Sequence, residues 1–76
     1  MTGDGTTITD CAVSTNGSHG ISTGLGCTIR GNTATANAGD GIHVYESLVV
    51  GNTSTFNTGA NINATDSTVI DNHVNP

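Results

Sequence analysis

Small aliphatic residues recur along the chain with a step of 20 or 21 residues. Two such columns run through the sequence: Ile8, Ile29, Val49 and Val69, and then Ile21, Ile42 and Ile62. Within each repeat, apolar and polar residues alternate over short stretches such as Ile42-His43-Val44, before Asn and Gly interrupt them. Alternation with period two is typical of β-strands, and no repeat shows the 3.6-residue spacing of an amphipathic helix. The chain is therefore predicted to be all-β.

The repeat predicts a short parallel β-helix, a solenoid in which each repeat forms one coil of about three short strands. Successive coils are expected to stack about 4.8 Å apart as parallel sheets. Residues 1–76 then form a single module of about three and a half coils of 20–21 residues, covering approximately 6–26, 27–46, 47–66 and 67–76. The additional residue of the first coil is predicted in the connector Gly24-Leu25-Gly26, where an insertion costs little.

Three segments carry a resemblance to a known family: Ile29-Arg30-Gly31-Asn32-Thr33-Ala34, Asn37-Ala38-Gly39-Asp40-Gly41-Ile42-His43-Val44 and Val49-Val50-Gly51-Asn52-Thr53-Ser54. They resemble the repeats of right-handed parallel β-helix proteins, of the pectate-lyase-like and copper-nitrous-oxide-accessory-like kinds. The resemblance covers nearly the whole chain and implies a right-handed solenoid. Because that family includes polysaccharide lyases and hydrolases, epimerases, phage tailspikes and adhesins, it implies no single function.

Asn32, Asn52 and Asn72 share a column at a turn. Asn tolerates a left-handed backbone there, and its amide can bond to the amide one coil away, so a buried or half-buried asparagine ladder is predicted. Cys11 takes the place of the first rung and is expected to be a small buried residue. Since Cys11 and Cys27 lie in different columns, no disulfide between them is expected within one chain.

Alternation also predicts which side chains face solvent. Leu48, Val50 and Ile70 are predicted to point outward on one sheet face, where adjacent apolar residues indicate a contact surface. Phe56 is predicted to fill space at the second turn. A short stack also exposes two coil edges with unpaired backbone groups, and its core is too small to be very stable alone. The sequence therefore predicts a non-catalytic homo-oligomer that associates through this strip, its coil ends, or both.

Charge and composition exclude several classes of function. The chain has one Arg (Arg30), no Lys and six acidic residues, giving a net charge of −5. One fixed positive charge does not neutralise a nucleic-acid backbone or bind an anionic membrane surface, so neither partner is expected. No apolar run approaches the roughly 18 residues of a membrane-spanning helix, and no signal peptide is evident. A cytoplasmic location is expected if the chain is full-length.

Residues that could carry chemistry fall in scattered columns. His19, His43 and His73 lie in three different columns, so no metal site is predicted and no cofactor is expected. His19 and Asp40 share a column and could pair, as exposed surface groups often do. Asp40 and Asp66 lie in different columns, without the carboxylate pair that glycoside hydrolysis needs. No catalytic residue is predicted.

Two other functions are alternatives to self-association. His43, Tyr45, Asn63 and Thr65 are predicted to line the outer face of the third strand, with Gly24 beside Tyr45, where they could contact a polysaccharide. The chain would then be a carbohydrate-binding module or a fragment of a polysaccharide-active lyase or hydrolase. A minor alternative is ice binding through an outward Thr-x-Thr array that comprises Thr33, Thr35, Thr53 and Thr55.

Overall fold

A computed structural model of the protein describes residues 3–75, which contain eleven short β-strands. The strands are β1 (Thr7–Thr9), β2 (Ala12–Ser14), β3 (Ile21–Leu25), β4 (Thr28–Arg30), β5 (Thr33–Thr35), β6 (Ile42–Tyr45), β7 (Leu48–Val50), β8 (Thr53–Thr55), β9 (Ile62–Thr65), β10 (Thr68–Ile70) and β11 (His73–Asn75). Within this range, no helix has the length and apolar character that crossing a membrane requires. The ends of the predicted module, Met1, Thr2 and Pro76, lie outside the described residues.

The strands form three parallel sheets that wind around a common core. Sheet 1 has the order β1-β4-β7-β10, sheet 2 has β2-β5-β8-β11, and sheet 3 has β3-β6-β9. In sheet 1, Ile8 pairs with Ile29, Ile29 with Val49, and Val49 with Val69. These pairs reproduce the aliphatic column of the repeat, so the predicted all-β parallel β-helix is confirmed.

The additional residue of the first coil lies in β3, where the register of sheet 3 shifts. Ser22 pairs with His43, but the next pair joins Leu25 to Tyr45. The insertion therefore forms a bulge close to the predicted connector. Because a bulge places an unpaired residue in one strand, Leu25 stands beside Tyr45, and the prediction of Gly24 at that position is wrong.

The inward-facing side chains of the middle coils form the core. Ile29, Val49, Ile42 and Val44 are each 0% exposed, as the column assignment predicts. Burying one such side chain completely is worth about 1.5–3 kcal/mol, and here a coil on each side excludes water. Val69 belongs to the same column as Val49, yet it is 43% exposed, because no further coil covers it among residues 3–75.

Each corner of a coil contains a residue with a left-handed backbone, one position before the ladder residue. Gly31, Gly51 and Asp71 have φ angles of 66°, 65° and 54° at the first corner. The prediction that the ladder asparagines adopt this conformation is therefore wrong, because the left-handed residue directs its side chain outward while the next residue points into the coil. Phe56 is the left-handed residue of a second corner, with φ of 55°. Its ring is 66% exposed and does not fill the turn as predicted.

The predicted asparagine ladder is present at the first corner. The backbone N–H of Asn32 donates to Oδ1 of Asn52 at 2.9 Å, and that of Asn52 to Oδ1 of Asn72 at 2.8 Å. The side-chain Nδ2 atoms donate along the same steps at 3.1 and 3.0 Å. Cys11 donates its N–H to Asn32, but its side chain is exposed rather than buried, because this rung lies at the end of the stack. Cys11 and Cys27 are both free thiols, as predicted.

A second ladder, which was not predicted, lies at the next corner, where Asn16, Asn37 and Asn57 are spaced by 21 and 20 residues. The N–H groups of Asn16 and Asn37 donate to Oδ1 of Asn37 and Asn57 at 3.1 and 2.9 Å. The series does not stop at Asn57, whose Nδ2 donates to Oδ1 of Asn61 at 3.0 Å within the same coil. Corner N–H groups, which the sheets do not pair, thus obtain acceptors from side chains.

Candidate functional site

The outer face of sheet 3 brings together the residues predicted to contact a ligand. His43 and Tyr45 lie on β6 and pair with Asn63 and Thr65 on β9. The period-two alternation of these strands turns all four side chains away from the core. Tyr45 is the most exposed aromatic group on this face, at 40%. The four residues are therefore adjacent, and their binding of a ligand stays a prediction.

Asp40 is the centre of a hydrogen-bond network beside this face. Its Oδ2 lies 2.8 Å from Nδ1 of His43 and accepts from Nδ2 of Asn63 at 3.0 Å, while Oδ1 accepts the N–H of Ala60 at 2.8 Å. The hydrogen bond with His43 lowers the pKa of Asp40 from its ordinary 3.8 to about 2; burial opposes this shift, and Asn63 and Ala60 add to it. Asp40 is therefore ionised at neutral pH and orders the side chains around it.

The same geometry assigns the proton of neutral His43. Because an ionised carboxylate only accepts, Nδ1 of His43 carries the hydrogen that it donates to Asp40. Nε2 of the neutral ring then accepts the hydroxyl hydrogen of Tyr45, whose oxygen lies 2.8 Å away. The two rings also meet edge to face, with centroids 5.2 Å apart. Asp40, His43 and Tyr45 thus form a hydrogen-bonded chain that ends at an exposed ring.

His19 joins this network, which corrects the prediction that the three histidines lie apart. Its ring stacks on that of His43, with centroids 4.5 Å apart and an interplanar angle of 17°. Its Nδ1 accepts the backbone N–H of Asp40 at 2.9 Å. An imidazole side chain is long enough to contact residues of a neighbouring column. The assignment of residues to columns does not predict such contacts. The available signal was the shared column of His19 and Asp40, with His43 three residues later. His73 lies elsewhere, on β11 of sheet 2.

His19, Asp40 and His43 each offer a potential metal ligand, and the three atoms lie within 4.8 Å of one another. Hydrogen bonds already engage them: Nδ1 of His19 accepts the N–H of Asp40, and Nδ1 of His43 lies against the Asp40 carboxylate. A metal ion binds in the plane of an imidazole ring, whereas these nearly parallel rings direct their Nδ1 atoms side by side. Chelation would require one ring to rotate, so the arrangement as it stands is a polar network.

The predicted contact strip lies on the outer face of sheet 1. Val50 on β7 pairs with Ile70 on β10, and Leu48 lies two residues before Val50. Leu48 is 37% exposed and Ile70 is 49% exposed, while Val50 is half-buried. The three side chains therefore form a continuous apolar patch, and its role as an oligomer interface stays a prediction.

The last coil has only two sides among residues 3–75, because β10 and β11 extend sheets 1 and 2 while sheet 3 ends at β9. A cavity of about 500 Å³ opens at this point; we call it the end cavity. Its lining includes Ile62 and Ala64 of β9, Val69 of β10, Val74 of β11, and Asp71 between the last two strands. Val69 is 43% exposed and Val74 is 51% exposed, although both side chains face inward.

The Thr-x-Thr array is present as two rungs on the outer face of sheet 2. Thr33 and Thr35 on β5 pair with Thr53 and Thr55 on β8. Oγ1 of Thr35 lies 3.1 Å from Oγ1 of Thr55 and donates to the carbonyl oxygen of Thr55 at 3.0 Å, so these hydroxyls bond within the protein. The neighbouring strands β2 and β11 carry no Thr at the paired positions. Ice binding by this array stays a prediction.

No protein-family model, curated protein or solved structure matches the chain. The likeness to pectate-lyase-like repeats therefore stays a resemblance of sequence pattern. The function has to be inferred from the surfaces of the molecule.

Proposed function

We propose that the protein is a non-catalytic β-helix that self-associates by burying the apolar surface of its last coil. This last-coil surface consists of Val69, Ile70 and Val74 of the last coil, together with Leu48, which lies on the outer face of sheet 1 in the preceding coil. The main support is the exposure of side chains that face inward. Val69 is 43% exposed, whereas Val49, one coil earlier in the same column, is 0% exposed.

The exposed area is large enough to drive weak association. The four side chains of the last-coil surface are between 37% and 51% exposed. Complete burial of one such side chain is worth about 1.5–3 kcal/mol, so covering the exposed part recovers about 1 kcal/mol each. Two subunits together then contribute about 8 kcal/mol, against an association cost of at least about 4 kcal/mol. The surplus is at most about 4 kcal/mol, so we expect a weak, reversible oligomer with a Kd of about 1 mM or higher.

The net charge of −5 on each copy opposes this association. Dissolved salt screens repulsion between exposed charges, with a Debye length of about 10 Å at 0.1 M, and it also favours apolar contacts. Association through the last-coil surface should therefore strengthen as salt is added. An oligomer held by ion pairs would respond in the opposite direction, so the sign of the salt effect identifies the kind of interface.

Size-exclusion chromatography with light scattering over a concentration series tests the proposal. The expected result is a mass that rises above that of the monomer as concentration increases. A folded monomer at concentrations up to about 10 mM contradicts the proposal. Leu48→Asp should dissociate an oligomer that packs side by side, and Val74→Asp one that packs through the coil end. Thr33→Asp, on the exposed face of sheet 2, is the matched control and should leave the mass unchanged.

A second candidate function is carbohydrate binding on the outer face of sheet 3. It is favoured by the alignment of His43, Tyr45 and Asn63, because a ring with a polar tip and neighbouring amide and imidazole groups suit sugar hydroxyls. The network around Asp40 already orders these side chains, which lowers the entropy cost of binding. Neutral glycans are the expected class, since the protein carries net negative charge.

A glycan array distinguishes this candidate from self-association. Binding to a neutral polysaccharide, lost in Tyr45→Ala and retained in Thr33→Ala, would support it. The absence of binding to any glycan at millimolar protein would remove it without affecting the proposal of self-association.

A further inference from the structure

Tyr45 is the single tyrosine of the chain, and its hydroxyl group is held by a base. The phenol oxygen lies 2.8 Å from Nε2 of His43, and Nδ1 of that ring lies 2.8 Å from Oδ2 of Asp40. Since ionised Asp40 accepts the Nδ1 hydrogen, Nε2 of the neutral ring accepts the hydrogen of the phenol. Carboxylate, imidazole and hydroxyl follow one another in the order by which a serine hydrolase activates its nucleophile.

The imidazole of His43 is fixed in the orientation that this chain of hydrogen bonds requires. The ring of His19 stacks on it with centroids 4.5 Å apart, and Nδ1 of His19 is itself bonded to the N–H of Asp40 at 2.9 Å. The Asp40 carboxylate is held in turn by the N–H of Ala60 at 2.8 Å and by Nδ2 of Asn63 at 3.0 Å. The base therefore stays directed at the phenol, and little conformational entropy is lost when a reaction begins.

The hydroxyl is open to a reagent, whereas the groups behind it are partly shielded from water. Tyr45 is 40% exposed, and the side chains of His43 and Asp40 are 21% and 14% exposed. All three residues belong to the second coil, whose strand β6 lies between β3 and β9 in sheet 3. Neighbouring coils on both sides thus fix the surroundings of the site.

We propose that Tyr45 is an acyl acceptor that takes one acyl group per chain from activated esters, with His43 as its general base. Oη of Tyr45 bonds to the carbonyl carbon of the ester while its proton passes to Nε2 of His43. The bond between the carbonyl carbon and the leaving oxygen breaks, and the leaving group departs with the electron pair. The imidazolium returns its proton to water, which leaves an O-acyl tyrosine.

Asp40 is a positioning residue, because it acts through His43 and does not touch the reacting atoms. Its carboxylate keeps the hydrogen of His43 on Nδ1, so that Nε2 is free to accept a proton, and its charge stabilises the imidazolium that forms. The inference goes beyond self-association and does not depend on it, since Tyr45 lies on sheet 3, whereas the last-coil surface belongs to sheets 1 and 2.

Reaction with p-nitrophenyl acetate tests the proposal on the unmodified protein. Peptide mass mapping of quenched samples measures the acetylation of Tyr45 separately from any reaction at Cys11, which is an exposed free thiol. We expect Tyr45 to be acetylated at least about tenfold faster than the phenol of N-acetyltyrosinamide under the same conditions. Equal rates for the protein and this small phenol would overturn the proposal.

Substitution of the base supplies a second test. His43→Gln should slow acetylation of Tyr45 by about tenfold or more, because no group is then placed to accept the phenol proton. His73→Gln is the matched control, since His73 lies exposed on β11, and its rate should equal that of the wild type. Circular dichroism establishes that both variants are folded. An undiminished rate in folded His43→Gln contradicts the proposal.

The solvent isotope effect supplies a readout that needs no variant. Acetylation of the wild type should be slower in D2O than in H2O, because the phenol proton is being transferred in the transition state. Equal rates in the two solvents would contradict general-base assistance. Asp40→Asn should slow acetylation by about tenfold and abolish this isotope effect, whereas the control Asp66→Asn, at an exposed corner, should change neither. An isotope effect that persists in Asp40→Asn would refute the positioning role of Asp40.

Discussion

The middle rung of the first asparagine ladder should be among the most sensitive positions in the protein. Asn52 is 1% exposed, and its Oδ1 accepts from the backbone N–H and the Nδ2 of Asn32 at 2.9 and 3.1 Å. Its own Nδ2 donates to the carbonyl oxygen of Ile29 at 2.9 Å and to Oδ1 of Asn72 at 3.0 Å. Asn52→Ala removes all of these bonds at once.

The expected loss can be worked from the groups that remain. The N–H of Asn32 is left buried without the acceptor that the ladder supplies, which costs about 1–3 kcal/mol. The bond to Ile29 is also lost, and a net contribution of about 1 kcal/mol goes with it. The total is about 2–4 kcal/mol, a large part of the roughly 4–11 kcal/mol of stability typical of a chain of this size. No such cost arises where the same atoms are removed from an exposed strand.

Urea unfolding followed by far-ultraviolet circular dichroism measures this loss, with an unchanged m-value as the sign that only stability has changed. Asn75→Ala is the matched control, since Asn75 lies exposed on β11 and the same atoms are deleted. We expect the control to lose less than about 0.5 kcal/mol. If Asn52→Ala loses no more than Asn75→Ala, the ladder does not stabilise the coil in the way described.

Three further predictions concern the hydrogen-bond network of Asp40, the close contact between coils at Gly41, and the left-handed corner residue Ala36. The pKa of Asp40 is about 2 in the folded protein, below its ordinary 3.8. Ionised Asp40 should therefore stabilise the folded wild type fully above about pH 4, and about 1–2 kcal/mol of this stability should be lost as the pH falls through about 2. In acid titrations followed by circular dichroism, Asp40→Asn should not show this pH-dependent loss of stability. If the variant and the wild type lose stability equally between about pH 4 and about pH 2, ionised Asp40 does not stabilise the fold. Gly41→Ala places a Cβ against the next coil and should lower the free energy of unfolding in urea by about 2–4 kcal/mol. Gly17→Ala is the control and should change it little, because a Cβ there has nothing within 4 Å. Equal losses in the two variants would show that the coils do not approach closely at Gly41. Ala36 has a φ of 56°, so Ala36→Gly should raise the free energy of unfolding by about 0.5–1 kcal/mol, and a loss would show that the corner is unstrained.

Column spacing predicted the register of the sheets because equivalent residues in a solenoid must stack on one another. Ile8, Ile29, Val49 and Val69 pair in the order that their spacing indicates. The approximate position of the extra residue was also predictable from the step of 21 residues, but its placement in a connector was wrong, because it lies in the paired strand β3. What spacing did not show was the bulge itself, which places Leu25 beside Tyr45.

The candidate site was predictable only in part. His43 and Asn63 were expected on one face because they hold the same position in successive repeats. The convergence of His19 and His43 on Asp40 was missed, because it depends on the length and rotamer of side chains that cross a corner. The prediction that Phe56 fills the second turn is wrong, because the left-handed backbone at its corner directs the ring into solvent.

The sequence by itself determined the coil. Residues that repeat at a constant step have one arrangement in which each aliphatic side chain packs against the equivalent side chain of the next coil and each ladder amide hydrogen-bonds to the next amide. Only the tertiary structure decided what the surfaces are, because exposure depends on whether a neighbouring coil is present. Val49 and Val69 occupy equivalent places in the repeat, yet one is 0% and the other 43% exposed. Local sequence sets the direction of a side chain, and the stack around it sets whether water reaches it.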